Sequence, residues 1–239
     1  MKRINYLFLT ATMLSFAACS NDEGTNNENN LVEARITASA SRAIDNQWEA
    51  DAIAVTVASS PVSNMKDMYK NVKYTTTSTG TTAEFVAEQN KSIYFQDADE
   101  TVTFTAYGPY NDPNSEGDIL FSTENQNTAE TRKAVDFIYA SGVRASKSSP
   151  TVNFMFKHIM SRLVLKVTAG NGISASDITS GQYFLNGIEL NGKFNANTGA
   201  AQAITSSATQ NQQQYSLNDK VQITPNEADK RTFTVICFP

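Results

Sequence analysis

LVEARITASA, residues 31–40, alternates apolar and polar side chains from Val32 onward. The apolar residues share one parity and are Val32, Ala34, Ile36, Ala38 and Ala40. Successive side chains of a β-strand point to opposite faces of a sheet, so this alternation predicts a strand with one buried face. Three of those five residues are alanine, which buries little area. We therefore expect this strand to be held less firmly than one built from valine, isoleucine and phenylalanine.

The same period of two recurs along the chain, notably in residues 53–57 and 102–106. Further strand-like runs follow at 136–141, 151–156, 162–169, 220–225 and 233–238. Turn residues separate such runs, and the segments Ser78–Gly80 and Asn191–Gly192 predict hairpins. A helical pattern is confined to a turn or two at 129–137. The sequence therefore predicts an all-β fold of antiparallel sandwiches.

A polar segment ending at Pro150 divides these strands into two groups. It predicts an N-terminal β-sandwich domain at 31–150 and a C-terminal β-sandwich domain at 151–239. The second region is short for a complete sandwich, and the sequence stops directly after an apolar strand. We expect that final strands are lacking there or that something else completes the sheet.

The first residues have the pattern of an export signal. A short basic start precedes the apolar segment 4–18, which is too short to span a bilayer. Small residues then lead to Cys19, which predicts a lipoprotein signal peptide at 1–18 and lipidation of Cys19. An ordinary secretory signal is the alternative, but its cleavage would require a small residue at the position of Phe16. Residues 19–30 have no apolar side chain after the cysteine and predict a disordered tether.

Charge and cysteine content argue against two classes of protein, those that bind nucleic acids and those built on a disulfide framework. The formal net charge is −5, and removal of the signal leaves 17 basic against 24 acidic residues. No segment supplies a basic face, which disfavours nucleic-acid binding. Cys237 is the only cysteine besides Cys19, so no disulfide framework is possible if Cys19 is lipidated. We interpret Cys237 as a small buried apolar residue.

The sequence offers little catalytic chemistry. His158 is the only histidine, and we interpret it as a structural residue because general-base catalysis needs an orienting partner. The motifs G-x-S-x-G, H-E-x-x-H, C-x-x-C and the P-loop do not occur. We therefore expect no enzyme activity, no cofactor and no metal.

Two acidic segments are candidate ligand sites. Residues 112–118 resemble the start of a calcium loop, but Thr123 stands where a bidentate glutamate belongs, so we interpret the segment as a solvated turn. The acidic residues Asp97, Asp99 and Glu100 predict an exposed hairpin tip.

Three aromatic residues could stack on sugars, as a glycan-binding protein would require. Trp48 precedes a strand, where burial in the core is the commoner outcome. Tyr107 and Tyr110 flank Gly108 and Pro109, and we expect them to pack at a strand end.

Several fragments together resemble the fimbrillin-like proteins of Bacteroidota, the subunits and accessory proteins of type V pili. They are ITASASRAID (36–45), WEADAIAVTV (48–57), Tyr74 with the TTAEF run (81–85), IYFQDADETVTFTAYGPY (93–110), DFIYAS (136–141), VNFMFKHIMSRLVLKV (152–167) and GKFNANTGA (192–200). The resemblance implies two successive transthyretin-like β-sandwich domains. It also implies a lipoprotein precursor of the outer membrane, displayed on the cell surface, which the acidic pair after Cys19 supports.

In that family a trypsin-like protease cuts after an arginine, the first strand leaves, and a strand from another fimbrillin subunit fills the vacated groove. Arg42 follows the predicted strand 31–40, so a cut there would release it whole, whereas a cut after Arg35 would leave half in place. A solvated arginine in a turn is the alternative interpretation of Arg42. The resemblance thus implies a structural subunit or accessory adhesin of a pilus, with a possible host or bacterial surface ligand. The alternative is a cell-surface glycan-binding lipoprotein.

Overall fold

A computed structural model describes residues 31–39, 48, 51–204, 220–226 and 231–239. The strands are β1 (Val32–Glu33), β2 (Arg35–Ser39), β3 (Ala52–Ser59), β4 (Val72–Thr75), β5 (Thr82–Ala87), β6 (Tyr94–Phe95), β7 (Thr101–Gly108), β8 (Asp118–Ser122), β9 (Ile138–Ser146), β10 (Thr151–Met155), β11 (Lys157–His158), β12 (Ser161–Lys166), β13 (Tyr183–Asn186), β14 (Asn191–Asn195), β15 (Ala200–Ala203), β16 (Lys220–Ile223) and β17 (Thr232–Cys237). The helices are α1 (Met65–Met68), α2 (Ala129–Val135) and α3 (Ala175–Ser180). The prediction of an all-β fold is confirmed.

The largest sheet has eight strands in the order β10-β2-β5-β4-β3-β7-β9-β11. Its neighbours pair antiparallel except for β10 and β2, which are parallel. The smaller sheets are β1-β6, β12-β17, β13-β16 and β15-β14-β8. The strand that follows the predicted domain boundary, β10, pairs with β2 in the large sheet. The division into domains at residue 150 stays a prediction.

One hydrophobic cluster lies on the face of the large sheet that the period-two pattern predicts. In β3 and β7 the residues of the predicted parity are buried. Each is 2% exposed or less, and they are Ile53, Val55, Val57, Val102, Phe104 and Ala106. Trp48 and Tyr74 belong to the same cluster. Branched and aromatic side chains on one parity of adjacent strands thus build this core.

A second cluster takes up residues of the opposite parity. Ala54 and Tyr107, from β3 and β7, are buried there with Phe137 and Phe194, whose rings stack with centroids 4.5 Å apart. Ile236 of β17 joins the same cluster. Strands β3 and β7 of the large sheet therefore contribute buried residues to a cluster on each of their faces.

The local predictions had mixed outcomes. The hairpin at Ser78–Gly80 is confirmed, because β4 and β5 pair antiparallel across it. The helix at 129–137 is confirmed as α2, which begins with a capping box between Thr128 and Thr131. The hairpin at Asn191–Gly192 is wrong: both residues lie within β14, and the turn between β14 and β15 spans 196–199.

Gly192 has a packing reason for lying inside a strand. A Cβ atom added there would fall 2.3 Å from the Phe238 ring and 2.5 Å from the Gln202 main-chain oxygen. Glycine at this position marks the close approach of a ring and a neighbouring strand, and not a turn.

Candidate functional site

Strand β2 lies between β5 and β10 and is paired along both edges. Ile36 is opposite Phe85 of β5 and Val152 of β10, and Ala38 is opposite Ala83 and Phe154. The β5 ladder is antiparallel and the β10 ladder is parallel. A strand near the start of the described chain thus fills a slot between two strands that come later in sequence.

The residues before β2 are also held by main-chain hydrogen bonds. The Ala34 N–H donates to the Ile93 carbonyl oxygen at 2.8 Å, and the Arg35 N–H donates to the Pro150 carbonyl oxygen at 2.9 Å. Val32 of β1 is opposite Phe95 of β6. The whole segment from Val32 to Ser39 is therefore integrated into sheets.

The buried face of this segment is built largely from small side chains. Ala34, Ile36 and Ala38 are 1%, 2% and 1% exposed, and Val32 is partly buried. The predicted parity of residues 32–38 is confirmed, while Ala40 lies outside the described residues. Withdrawal of β1 and β2 would uncover unpaired edges of β5 and β10 together with Phe85, Val152 and Phe154. A surface with unpaired strand edges and exposed apolar side chains is prone to association.

The predicted modification sites fall mostly outside the described part of the chain. Arg35 is described: its side chain is exposed, but its backbone is paired within β2. Arg42, Cys19, the signal at 1–18 and the tether at 19–30 lie outside the described residues. In the part that is described, no helix is long and apolar enough to cross a membrane.

His158 lies at the edge of the large sheet and contacts a buried carboxylate. Its Nδ1 atom is 3.1 Å from Oδ1 of Asp136, which is 3% exposed. The contact joins β11 to the residue that ends α2. This carboxylate holds the imidazole between two elements, consistent with the structural interpretation of His158.

The 112–118 loop is organised by its own hydrogen bonds. Asn114 Oδ1 accepts from the N–H groups of Glu116 and Asp118, both at 2.9 Å. The Asp118 carboxylate accepts from Lys193 Nζ at 2.8 Å and from Asn195 Nδ2 at 2.7 Å, and these bonds hold its pKa below the ordinary value. The loop thus connects β8 to β14 through an ion pair. Among the described residues, no group of three or more His, Cys, Asp or Glu could hold a metal ion.

The prediction of an exposed acidic tip is wrong for one of its three residues. Asp97 and Asp99 are exposed, but Glu100 is 1% exposed. Its carboxylate accepts hydrogen bonds from the N–H groups of Gln96 and Asp97 and from the hydroxyl of Ser60. Burial is possible because these donors replace water around the charge.

The candidate sugar-stacking residues separate into two groups. Trp48 is fully buried, with ring centroids 5.0 Å from Phe85 and 5.7 Å from Phe156, so it cannot contact a ligand in this conformation. Tyr107 is also buried, and burial raises its pKa. Tyr110 is only partly buried and lines an open cavity, which the sequence does not predict.

Cys237 is a free thiol near the end of β17. It is partly and not fully buried, and burial raises the pKa of the thiol. A raised pKa keeps the sulfur protonated and less nucleophilic.

Comparison with known proteins identifies the family. A sequence model described as fimbrillin-like matches residues 41–239. The chain belongs to this fimbrillin-like family. The resemblance seen in the sequence is confirmed.

The fimbrillin-like chain also matches a curated protein of Bacteroides uniformis, described as a candidate fimbrium subunit, Fim1C. The two are 28% identical over 171 residues, which cover 70% of this chain and 55% of that protein. The chain therefore spans about half the length of this relative.

Two crystal structures share the fold, and both are described as candidate cell adhesion proteins. The protein from Bacteroides ovatus has a TM-score of 0.69 at 24% identity, over 87% of this chain and 78% of its own. The protein from Bacteroides uniformis has a TM-score of 0.69 at 22% identity, over 90% and 76%. These likenesses establish a fold shared by the fimbrillin-like chain with proteins of the genus Bacteroides.

Proposed function

We propose that the chain is a non-enzymatic structural subunit or accessory adhesin of a type V pilus. It is exported as an outer-membrane lipoprotein and assembled by donor-strand exchange after proteolysis. Its partners are other fimbrillin subunits, and its place is the cell surface and the fimbrium.

The observation that carries the proposal is the position of β2 between β5 and β10. A first strand that fills an internal slot can leave without breaking the ladders among the remaining strands. Its departure opens a groove with two unpaired strand edges and an apolar floor. An added strand can form hydrogen bonds with both edges and cover the floor.

The composition of β1 and β2 supports replacement by a better-filled strand. Alanine occupies two of the fully buried positions, Ala34 and Ala38, where larger side chains would bury more apolar area. A donor strand with larger apolar side chains, accommodated by rearrangement of the groove, would bind more tightly.

The modification sites complete the proposed sequence of events. Cys19 carries the lipid that brings the precursor to the outer membrane, and the segment at 19–30 holds the domain away from the lipid surface. Cleavage after Arg42 then separates lipid, tether and β1–β2 from the rest of the chain. Arg35 is the less favourable site, because a protease must first pull its paired backbone out of β2.

The test compares unheated and boiled outer-membrane material on SDS gels. Strand-exchanged subunits should run as a ladder without heating and collapse to one band on boiling. The Arg42→Ala chain should give no ladder and should keep its lipid, whereas Arg35→Ala should behave as the unmodified chain. Arg144→Ala, at an exposed position of β9, is the matched control.

N-terminal sequencing of the mature protein provides the second measurement. A new N-terminus at Ala43 supports the proposal. A surface protein that still begins at modified Cys19, and that nonetheless forms ladders, contradicts proteolysis-dependent exchange. A protein without ladders in any condition contradicts the pilus assignment.

A further inference from the structure

We propose that the chain carries a binding groove for an acidic oligosaccharide, meaning a sugar chain with carboxylate or sulfate groups. The groove consists of two cavities, of about 510 and 360 Å³, that share Lys70 as a lining residue. Both lie within the size range of ligand pockets. We call them together the lysine groove. This inference goes beyond strand exchange and does not depend on it.

The lysine groove concentrates positive charge on an acidic protein. The larger cavity is lined by Lys70, Lys73 and Lys91 against the single acid Glu88. The smaller cavity adds Lys66 and Asp67. The chain as a whole carries a formal charge of −5, so this local excess of lysine is not a general property of its surface.

Two lysines in the described part of the chain have a carboxylate partner, and the lysines of the larger cavity do not. Lys133 and Lys193 lie 2.9 and 2.8 Å from the carboxylates of Asp51 and Asp118. Within the described ranges, none of the three lysines of the larger cavity forms such an ion pair. Their ammonium groups are therefore available to an anion from solution.

Tyrosine rings provide the second half of the site. Tyr69, Tyr94 and Tyr110 line the larger cavity. The Nζ atom of Lys73 lies 5.2 Å from the centroid of the Tyr110 ring, within cation–π range, which places a charge beside an aromatic surface. The Tyr110 hydroxyl donates to Asp112 at 3.0 Å, which fixes the ring from outside the cavity.

An asparagine with a left-handed backbone conformation forms part of the lining of the larger cavity. Asn71 has a φ of 54° and lines the larger cavity. Its N–H donates to Thr56 Oγ1 at 2.9 Å, and its side-chain nitrogen donates to the Asn111 carbonyl oxygen at 3.0 Å. Its side-chain oxygen lies 2.7 Å from the buried Tyr107 hydroxyl. The groove is therefore preorganised, which lowers the entropic cost of binding.

This combination favours an acidic sugar over other polyanions. Ammonium groups bind carboxylates or sulfates, while flat rings pack against the less polar face of a sugar ring. The formal net charge of the chain is −5, which opposes a nucleic acid, whose charge is dense along its length, more than a sugar chain with spaced charges. Two cavities that share one lining lysine suit an extended ligand with spaced charges.

Calorimetric titration of the full chain, in detergent, tests the inference. The probe is oligogalacturonate, and a maltooligosaccharide of equal length is its neutral match. Polyglutamate and a single-stranded oligonucleotide test whether charge alone suffices. We expect oligogalacturonate to bind most tightly, with an affinity that falls as salt is added.

Variants locate the binding. The pair Lys70→Ala and Lys73→Ala should weaken oligogalacturonate binding by about tenfold or more, and Tyr110→Leu should weaken it without removing charge. The matched control is the pair Lys157→Ala and Lys166→Ala, two exposed lysines outside the groove, which should leave binding within about twofold. Equal thermal unfolding midpoints show that all the variants are folded.

Three results would overturn the inference. They are equal binding of the neutral oligosaccharide, equal or tighter binding of polyglutamate or the oligonucleotide, and an equal loss of affinity in the control pair. The groove variant should still form ladders on unheated gels. Failure of the groove and failure of strand exchange are therefore separate outcomes.

Discussion

Gln126 satisfies both main-chain polar groups of Ile236 with its side-chain amide. Its Nε2 atom donates to the Ile236 carbonyl oxygen at 2.8 Å, and its Oε1 atom accepts from the Ile236 N–H at 2.7 Å. The side chain thus acts at this residue as a neighbouring strand would. Arg132 of α2 donates to the main-chain carbonyl oxygen of Gln126 at 2.9 Å, and the Gln126 side chain also donates to the Thr123 carbonyl oxygen at 2.7 Å.

Removing this amide should be costly. Gln126→Leu leaves two buried main-chain groups of Ile236 without partners, so we expect the free energy of unfolding to fall by about 2–4 kcal/mol. Urea denaturation measures this change in the free energy of unfolding. Gln222→Leu, at an exposed position of β16, is the control and should change stability by less than about 0.5 kcal/mol. Equal effects of the two substitutions would contradict the bridging role of Gln126.

The close approach at Gly192 gives a second prediction. Gly192→Ala forces the Phe238 ring and the main-chain oxygen of Gln202 to move, and overpacking of this kind destabilises by about 1–3 kcal/mol. Gly170→Ala has open space around the new methyl group and serves as the control. Thermal unfolding of both variants checks the difference, and a Gly192→Ala protein as stable as the control would argue against this packing.

Ile36 should anchor β2 more than any other residue of that strand. Ile36→Ala removes its one fully buried branched side chain, at a cost of about 2–5 kcal/mol to the free energy of unfolding or to local opening of β2. Amide hydrogen exchange should show faster exchange along β5 and β10. Thr37→Ala changes a residue of the opposite parity and removes only an exposed hydrogen bond to Asn153 of β10, so it should alter exchange much less. Unchanged protection in the Ile36 variant would show that β2 is held by its hydrogen bonds alone.

The Asp118 and Lys193 pair predicts a dependence of stability on pH. The pKa of Asp118 is lowered by hydrogen bonds from Lys193 and Asn195, so its contribution is present above the unfolded pKa, near the ordinary value of 3.8. It is lost as pH falls through the lower folded pKa. The pKa of Lys193 is raised by Asp118, so its contribution is lost only as pH rises through a folded pKa above 10.5.

Denaturation curves across pH test this assignment. Asp118→Asn should flatten the loss of stability on the acid side, whereas Asp99→Asn, at an exposed turn, should leave the pH profile unchanged. A profile of the Asp118 variant that matches the unmodified chain would rule out this pair as a source of acid sensitivity.

Sequence patterns were informative where side-chain burial follows local periodicity. The period of two identified the buried faces of β2, β3 and β7, and the position of Trp48 before a strand indicated its burial. The prediction failed at Asn191–Gly192, because a ring distant in sequence and not a turn requires the glycine. It failed at Glu100, because one donor to its buried carboxylate, the hydroxyl of Ser60, is 40 positions away in sequence.

The two proposed functional surfaces depend on contacts that no local pattern encodes. The sequence indicates a strand at 31–40 but gives no information on its neighbours, and the ladder with β10 joins residues that are more than a hundred positions apart. Likewise the lysines of the groove come from separate segments, and only the fold brings Lys73 and Lys91 to one cavity with Tyr110.

The slot between β5 and β10 has a further consequence. Because β2 is antiparallel to one and parallel to the other, these two strands run in opposite directions. Any strand inserted between them, in either direction, makes one parallel and one antiparallel ladder. The backbone therefore sets no polarity for an incoming strand. If subunits assemble through this slot, the direction of the growing fibre is decided by how side chains of the donor fit beside Phe85 and Phe154.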